Sequence, residues 1–376
     1  MEELRFLLRS TTVGKLIERN KRKLICVQHT ATLGEVLQIM QKHDISTVPV
    51  AAPALTEPQL TKEEKLELVA SCKHFFGIIS LLDIVLYLVV HDSTDKSNHC
   101  QSQLLDTPAH SILNNCGKGR WLSVMSPETS VLEAMDMMVN GVKQALVACK
   151  SLSSTEQTKP GLDDRKESLA AGYCMITQRD ILQFIQTERE KFKPVLSKSV
   201  ESLGIYEERV LGVSRSLPLV DTLRCMQQNL STIVPIVDHR EKMEHFAKGQ
   251  LVDVKGELIA GSLSVSDLKG CPLEALCTWA NREVLVFLKR AYVMTLSGIT
   301  VDDINAHEDG AFQMDQVCES FQFEVLTCTV KDLLGDVIEM VLNEHGQQVW
   351  VVEKDAILVG CISFSNIFQA LKRTIS

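Results

Sequence analysis

Apolar residues recur at helical spacing ahead of compact apolar runs. Leu33, Val36, Leu37 and Met40 form one such set, Val131, Ala134, Met135 and Met138 a second, and Leu334, Val337, Ile338 and Val341 another. The i, i+3, i+4, i+7 pattern predicts a helix with one buried face in each place. Thr32-x-x-Glu35, Ser130-x-x-Glu133 and Thr329-x-x-Asp332 stand at the starts of these helices and match a reciprocal capping box. Pro218 marks the first turn of a further copy. Each helix leads into a short strand: Thr47-Val-Pro-Val, Ala145-Leu-Val-Ala, Ile233-Val-Pro-Ile-Val and Val349-Trp-Val-Val.

A second apolar strand then passes directly into a second apolar helix, through one phrase repeated four times. Its copies are Gly77-Ile-Ile-Ser80-Leu-Leu-Asp83, Tyr173-Cys-Met-Ile-Thr177-Gln-Arg-Asp180, Gly261-Ser-Leu-Ser264-Val-Ser-Asp267 and Gly360-Cys-Ile-Ser363-Phe-Ser-Asn366. The final positions lie 97, 87 and 99 residues apart (180 − 83, 267 − 180, 366 − 267). Repetition at a long period sets the architecture. The fold class is α/β (α+β), with four tandem β-α-β-β-α units.

Polar or charged inserts separate the two strands in three units, at 53–73, 150–170 and 239–255, and predict surface loops or short exposed helices. In the fourth unit Glu353-Lys-Asp-Ala predicts a tight turn. The second helix of the third unit is interrupted soon after Asp267 by Gly270 and Pro272, and an apolar helical pattern resumes over Leu273 to Leu288 with Trp279. That stretch reads either as a kinked connector or as a surface for a partner chain.

Composition changes this picture little. A content of 45% hydrophobic and 23% charged residues in 376 suits a globular chain with a large core. The longest apolar stretch, Phe75 to Val90, is too short for a bilayer and carries Asp83, and no apolar targeting region opens the chain. A cytoplasmic or nuclear protein without a membrane partner is expected. The formal charge of −9 argues against a nucleic-acid partner. Lys15, Arg19, Lys21, Arg22 and Lys23 form a basic cluster, read as a solvated segment. The twelve cysteines are spread singly, with Cys149, Cys174, Cys225 and Cys361 inside apolar runs, and are expected to be reduced core residues rather than metal ligands.

No P-loop, Gly-x-Ser-x-Gly, His-Glu-x-x-His or dinucleotide-binding glycine set is present, so no catalytic domain is expected. His43, His74 and His345 lie near unit edges and read as ordinary surface or core residues.

The β-α-β-β-α unit ending in Gly-x-x-Ser/Thr-x-x-Asp resembles the CBS domain. Four in tandem resemble the γ regulatory subunits of AMP-activated and sucrose-non-fermenting kinases. Thr30-Ala-Thr-Leu33, Val48-Pro-Val-Ala-Ala-Pro53, Leu196-Ser-Lys-Ser199 and Ser266-Asp-Leu-Lys-Gly-Cys271 bring the likeness nearer to the plant γ-like CBS proteins. The resemblance implies repeats at 13–92, 118–190, 205–290 and 322–373, paired into Bateman modules over 1–187 and 188–376 that pack as a flat disc.

It also implies adenine-nucleotide clefts in which the Asp accepts hydrogen bonds from ribose hydroxyls and the Ser or Thr lies near phosphates at a helix start, where free N–H groups suit an anion. Ser80 with Asp83, Thr177 with Asp180 and Ser264 with Asp267 are the candidates. The same residues read equally as plain capping pairs that need no ligand. Copy four departs with Asn366. The phosphate-facing cations of the nucleotide-sensing relatives are also missing, with Lys143-Gln144, Gln347-Gln348 and Ser46 in their places. Two lost charge-assisted hydrogen bonds, at about 1.5–3 kcal/mol each, weaken binding by roughly 100-fold to 10,000-fold. Lys143 and Arg179 restore some positive charge.

The expected function is therefore a non-catalytic γ-type subunit that binds a kinase catalytic α subunit and a bridging β subunit, with weak or partial binding of AMP, ADP or ATP and no other cofactor. The alternatives are a free-standing adenosine-ligand sensor acting on another enzyme such as a thioredoxin, and a scaffold with no ligand.

Overall fold

A computed structural model of the chain describes residues 1–20, 24–52, 75–92, 100–113, 122–148, 172–238, 251–269, 271–297, 325–344 and 346–375. Lys21–Lys23, His74, Cys149, Gly270, His345 and most of the three inserts lie outside the described residues.

Each unit builds a small sheet in which the first strand is parallel and the third antiparallel to the second. The first helices run over Leu33–Lys42, Val131–Val139, Leu219–Gln228 and Leu334–Asn343 and cross between the parallel pair, the connection that a parallel ladder requires. The phrase ends the third strand and opens the second helix: Leu81–Asp92, Gln178–Thr187 and Phe364–Ile375 in units 1, 2 and 4.

Capping accounts for where the first helices begin. Thr32 and Ser130 accept from the backbone of Glu35 and Glu133 at 3.2 Å each, and both carboxylates return to the cap backbone. The Ser130 hydrogen bonds hold the Glu133 carboxyl below its ordinary range. The fourth unit departs from expectation. Asp332 does accept from the Thr329 N–H at 2.7 Å, but it holds the turn before the helix, whose cap position is Leu333. Leucine has no acceptor to offer, and the Leu334 N–H is satisfied by the carbonyl of Lys198 instead.

Unit 3 differs in two further ways. The end of its insert, Val252–Asp253, is a strand paired antiparallel with Leu211–Ser214, where a loop was expected. Its second helix is one 3-10 turn, Val265–Leu268, and the following apolar pattern divides into Leu273–Thr278 and Val284–Ser297. Pro272 caps the first of these and cannot continue the preceding turn.

Lead helices, of which the apolar periodicity reveals only the one before unit 4, tie the units together in pairs. Those opening at Val13 and Ala109 precede units 1 and 2, yet the first pairs with the helix start of unit 2 (Thr12 with Ser130) and the second with that of unit 1 (Pro108 with Thr32). Ser199 pairs with Leu333 and Glu283 with Pro218 in the same exchanged way between units 3 and 4. Reciprocal backbone bonds of 2.8–2.9 Å close each pair, such as Val13 to Thr129 and Val131 to Thr11. Gly14 allows one of these approaches: a Cβ there would lie 2.9 Å from the Pro127 carbonyl oxygen.

The cores follow a different pairing. Helices of units 1 and 3 share one large apolar cluster and those of units 2 and 4 another. Smaller clusters lie where sheets meet, joining Phe75 and Ala51 to Leu146 and Tyr173 in units 1 and 2, and Val210 and Val237 to Trp350 and Leu358 in units 3 and 4. Cys225, Cys328 and Cys361 are buried. Burial pushes the Cys225 thiol to about 11 and those of Cys271, Cys328 and Cys361 to about 12, which leaves little thiolate to react. Among the described residues no three metal-ligating side chains cluster, and no helix is long and apolar enough to cross a membrane.

Candidate functional site

In every unit the phrase folds as a cap on the helix or turn that follows it. Asp83 Oδ2 accepts from the Ser80 N–H at 3.1 Å and from the Ser80 hydroxyl. Asp180 Oδ2 accepts from the N–H and hydroxyl of Thr177 at 2.8 and 2.7 Å, and Asp267 Oδ2 accepts from the Ser264 N–H at 2.6 Å. Asn366 serves through its amide oxygen, accepting from the Ser363 N–H and hydroxyl at 2.8 and 2.5 Å. One carboxylate oxygen suffices for this task, so an amide can replace it.

In unit 1 the second oxygen is engaged as well. Asp83 is buried, and its Oδ1 accepts from Gln227 Nε2 at 3.1 Å, a side chain supplied by the first helix of unit 3. Asp180 is also buried. Partial desolvation raises the Asp267 carboxyl above its ordinary value against the opposing pull of the Ser264 bonds.

Around the phrases of units 2, 3 and 4, polar side chains reach the C-terminal end of the first helix across the helix seam. Arg179 of unit 2 donates to the carbonyls of Val341, at 3.4 Å, and Leu342 in unit 4. Ser365 of unit 4 donates to the Met138 carbonyl at 3.3 Å and receives Gln178 at 3.1 Å. Lys269 of unit 3 meets the carbonyl and carboxylate of Asp44 in unit 1 at 2.9 and 3.0 Å. The last carbonyls of a helix lack intrahelical partners and carry partial negative charge, so donors and cations settle there. The phrases therefore latch unit 1 to unit 3 and unit 2 to unit 4.

Of the two candidate cations, Arg179 is thus engaged by a helix end. Lys143 donates to the Leu230 carbonyl at 3.1 Å, from unit 2 to unit 3, and desolvation lowers its pKa. Gln144 receives the Thr47 hydroxyl at 3.2 Å, tying unit 1 to unit 2. Sequence reasoning missed Gln227, Lys269, Gln178 and Ser365, because lone polar residues near a helix end carry no periodic signal. It could have found the lead helices in the recurrence of Thr12-Val13-x-x-Leu16, Pro108-Ala109-x-x-Ile112, Ser199-Val200-x-x-Leu203 and Glu283-Val284-x-x-Phe287.

The Arg179 latch makes a direct prediction. Arg179→Met keeps the apolar stem and removes the donors, and is expected to cost about 1.5–3 kcal/mol in urea denaturation. Arg179→Lys should lose less, since an ammonium still reaches one carbonyl. Equal stability of Arg179→Met and the unaltered chain would exclude the latch.

The CBS domain family model matches residues 13–53, from the lead helix through the second strand of unit 1. Across its length the chain is similar to two Arabidopsis thaliana proteins named SNF1-related protein kinase regulatory subunit gamma-like PV42a and PV42b. It is 29% identical to the first over 98% of this chain and 96% of that protein, and 28% identical to the second over 94% and 92%. A solved protein of Methanocaldococcus jannaschii, described as an archaeal homolog of γ-AMPK, shares the fold with a TM-score of 0.58 at 14% identity, over 96% of this chain and 100% of that one. The fold is four tandem CBS units, and the chain resembles the plant γ-like regulatory subunits.

Proposed function

We propose that the chain is a non-catalytic γ-type regulatory and scaffold subunit of a plant kinase related to the AMP-activated enzymes, binding a catalytic α chain and a bridging β chain. Similarity to plant regulatory subunits along nearly the whole chain, with all four units present, carries this reading. The exchange of lead helices within units 1 and 2 and within units 3 and 4 supports two Bateman modules, with a boundary near 187–188.

Adenine nucleotide binding is weak and confined to part of the set. Ser80 with Asp83, Thr177 with Asp180 and Ser264 with Asp267 are the candidate contacts for a nucleoside. Ser80 with Asp83 competes for its acceptor with Gln227. Lys143 and Arg179 are the candidate phosphate contacts, and each would have to give up a backbone carbonyl to serve, Lys143 that of Leu230 and Arg179 those of Val341 and Leu342.

Affinity purification of the tagged chain from plant tissue tests the partner assignment. Kinase α and β chains are expected in the eluate, and a thioredoxin in their absence would favour the free-standing sensor. Isothermal titration with AMP is expected to give dissociation constants above the micromolar range. Sub-micromolar binding would show that the missing cations do not matter.

A further inference from the structure

The lead-in to unit 3 lies across the phrase of unit 4. Glu207 exchanges both backbone bonds with Cys361, each 2.9 Å, adding a short antiparallel bridge to the third strand of that unit. Tyr206 nests over Gly360, where a Cβ would stand 2.4 Å from its ring and 2.9 Å from the Glu207 carbonyl oxygen. The Glu207 carboxylate then accepts from Asn366 Nδ2 at 2.9 Å. On its other side the same segment is held by unit 3, with the Val210 N–H on Asp253 at 3.2 Å and the Val254 N–H on the Val210 carbonyl at 2.8 Å.

We propose that Glu207 is an internal occupant of the fourth unit's phrase, so that residues 205–210 form a clasp joining units 3 and 4 and exclude a free ligand from that turn. This explains the departure at position 366. The first three copies place a carboxylate there, but a carboxylate would face that of Glu207 within hydrogen-bond distance, whereas an amide caps with its oxygen and donates with its nitrogen. Close approach, backbone pairing and matched polarity thus meet on one segment. The clasp does not depend on nucleotide binding in any other unit.

A double-mutant cycle read by thermal melting tests it. Asn366→Asp sets two carboxylates against each other and is expected to lower Tm by about 2–4 °C, corresponding to about 1 kcal/mol. The loss should shrink at a pH low enough to protonate one of the pair. Adding Glu207→Gln restores a donor and should recover most of the loss. Glu207→Ala, which leaves the Ser363 cap intact, should cost a similar amount and keeps the test open if Asn366→Asp does not fold.

Independent effects of the two positions, or an Asn366→Asp chain as stable as the original, would overturn the clasp. Photolabelling of the unaltered chain with 8-azido-AMP gives a second readout. Label in residues 205–210 or 360–367 overturns exclusion of ligand, and label confined elsewhere supports it. Absence of label throughout counts against the nucleotide reading, and the melting cycle still decides the clasp.

Discussion

Replacing Phe368 by alanine should lower the unfolding free energy by about 3–5 kcal/mol. Its ring is fully buried in the second helix of unit 4, in a cluster shared with Val131, Met135 and Ile181 of unit 2. The cost combines the lost transfer of a large apolar side chain with a cavity that two facing helices cannot collapse to fill. Urea denaturation measures the magnitude. Hydrogen exchange measures the location, because units 1 and 3 contribute to that cluster only through their lead-in residues, such as Val13, Leu16 and Ile205, and not through their sheets or main helices. Protection should fall at amides of units 2 and 4 first. A uniform loss over all four units would show that the two helix seams are not separate cores.

Trp350→Ala should cost a comparable amount, about 3–5 kcal/mol, through a different seam. Trp350 is buried on the second strand of unit 4 against Val210, Val237 and Val254 of unit 3, and its indole N–H donates to the Ser262 hydroxyl at 3.4 Å. The long N–H···O distance adds little, so the loss is almost wholly packing. Trp350→Phe should therefore recover most of the stability. Exchange should quicken at Val210 and Val254, whose backbone bond edges this cluster. A phenylalanine variant as unstable as the alanine one would move the weight from the apolar contact to the hydrogen bond.

Local elements were legible because their signals are local. The faces Leu33 to Met40 and Val131 to Met138, the boxes at Thr32 and Ser130, and the four strand-to-helix phrases each lie within a dozen residues, and the structure builds them as expected. Thr329 failed as a helix cap because the helix is satisfied by Lys198, more than 100 residues earlier in the chain. Val252–Asp253 became a strand because Leu211–Ser214 offered an unpaired edge.

At the candidate site the same division holds. Ser80 with Asp83, Thr177 with Asp180 and Ser264 with Asp267 could be identified from spacing, but not what lies on the far side of each carboxylate. Gln227 on Asp83, Leu342 on Arg179 and Glu207 on Asn366 come from other units.

The amino-acid order alone specified four copies of one β-α-β-β-α unit, the caps that start two of their helices, and the chemistry at the end of each third strand, since periodicity and capping act over a few residues. Which unit meets which, and whether a phrase faces solvent or a neighbour's side chain, was settled only in the assembled molecule. Lead helices cross between adjacent units while helix faces pair units 1 with 3 and 2 with 4. Burial of apolar area is nondirectional, and four units with similar apolar faces present several pairings of nearly equal sequence pattern. The backbone bonds at the crossed helix starts and the donors at helix ends select one of them.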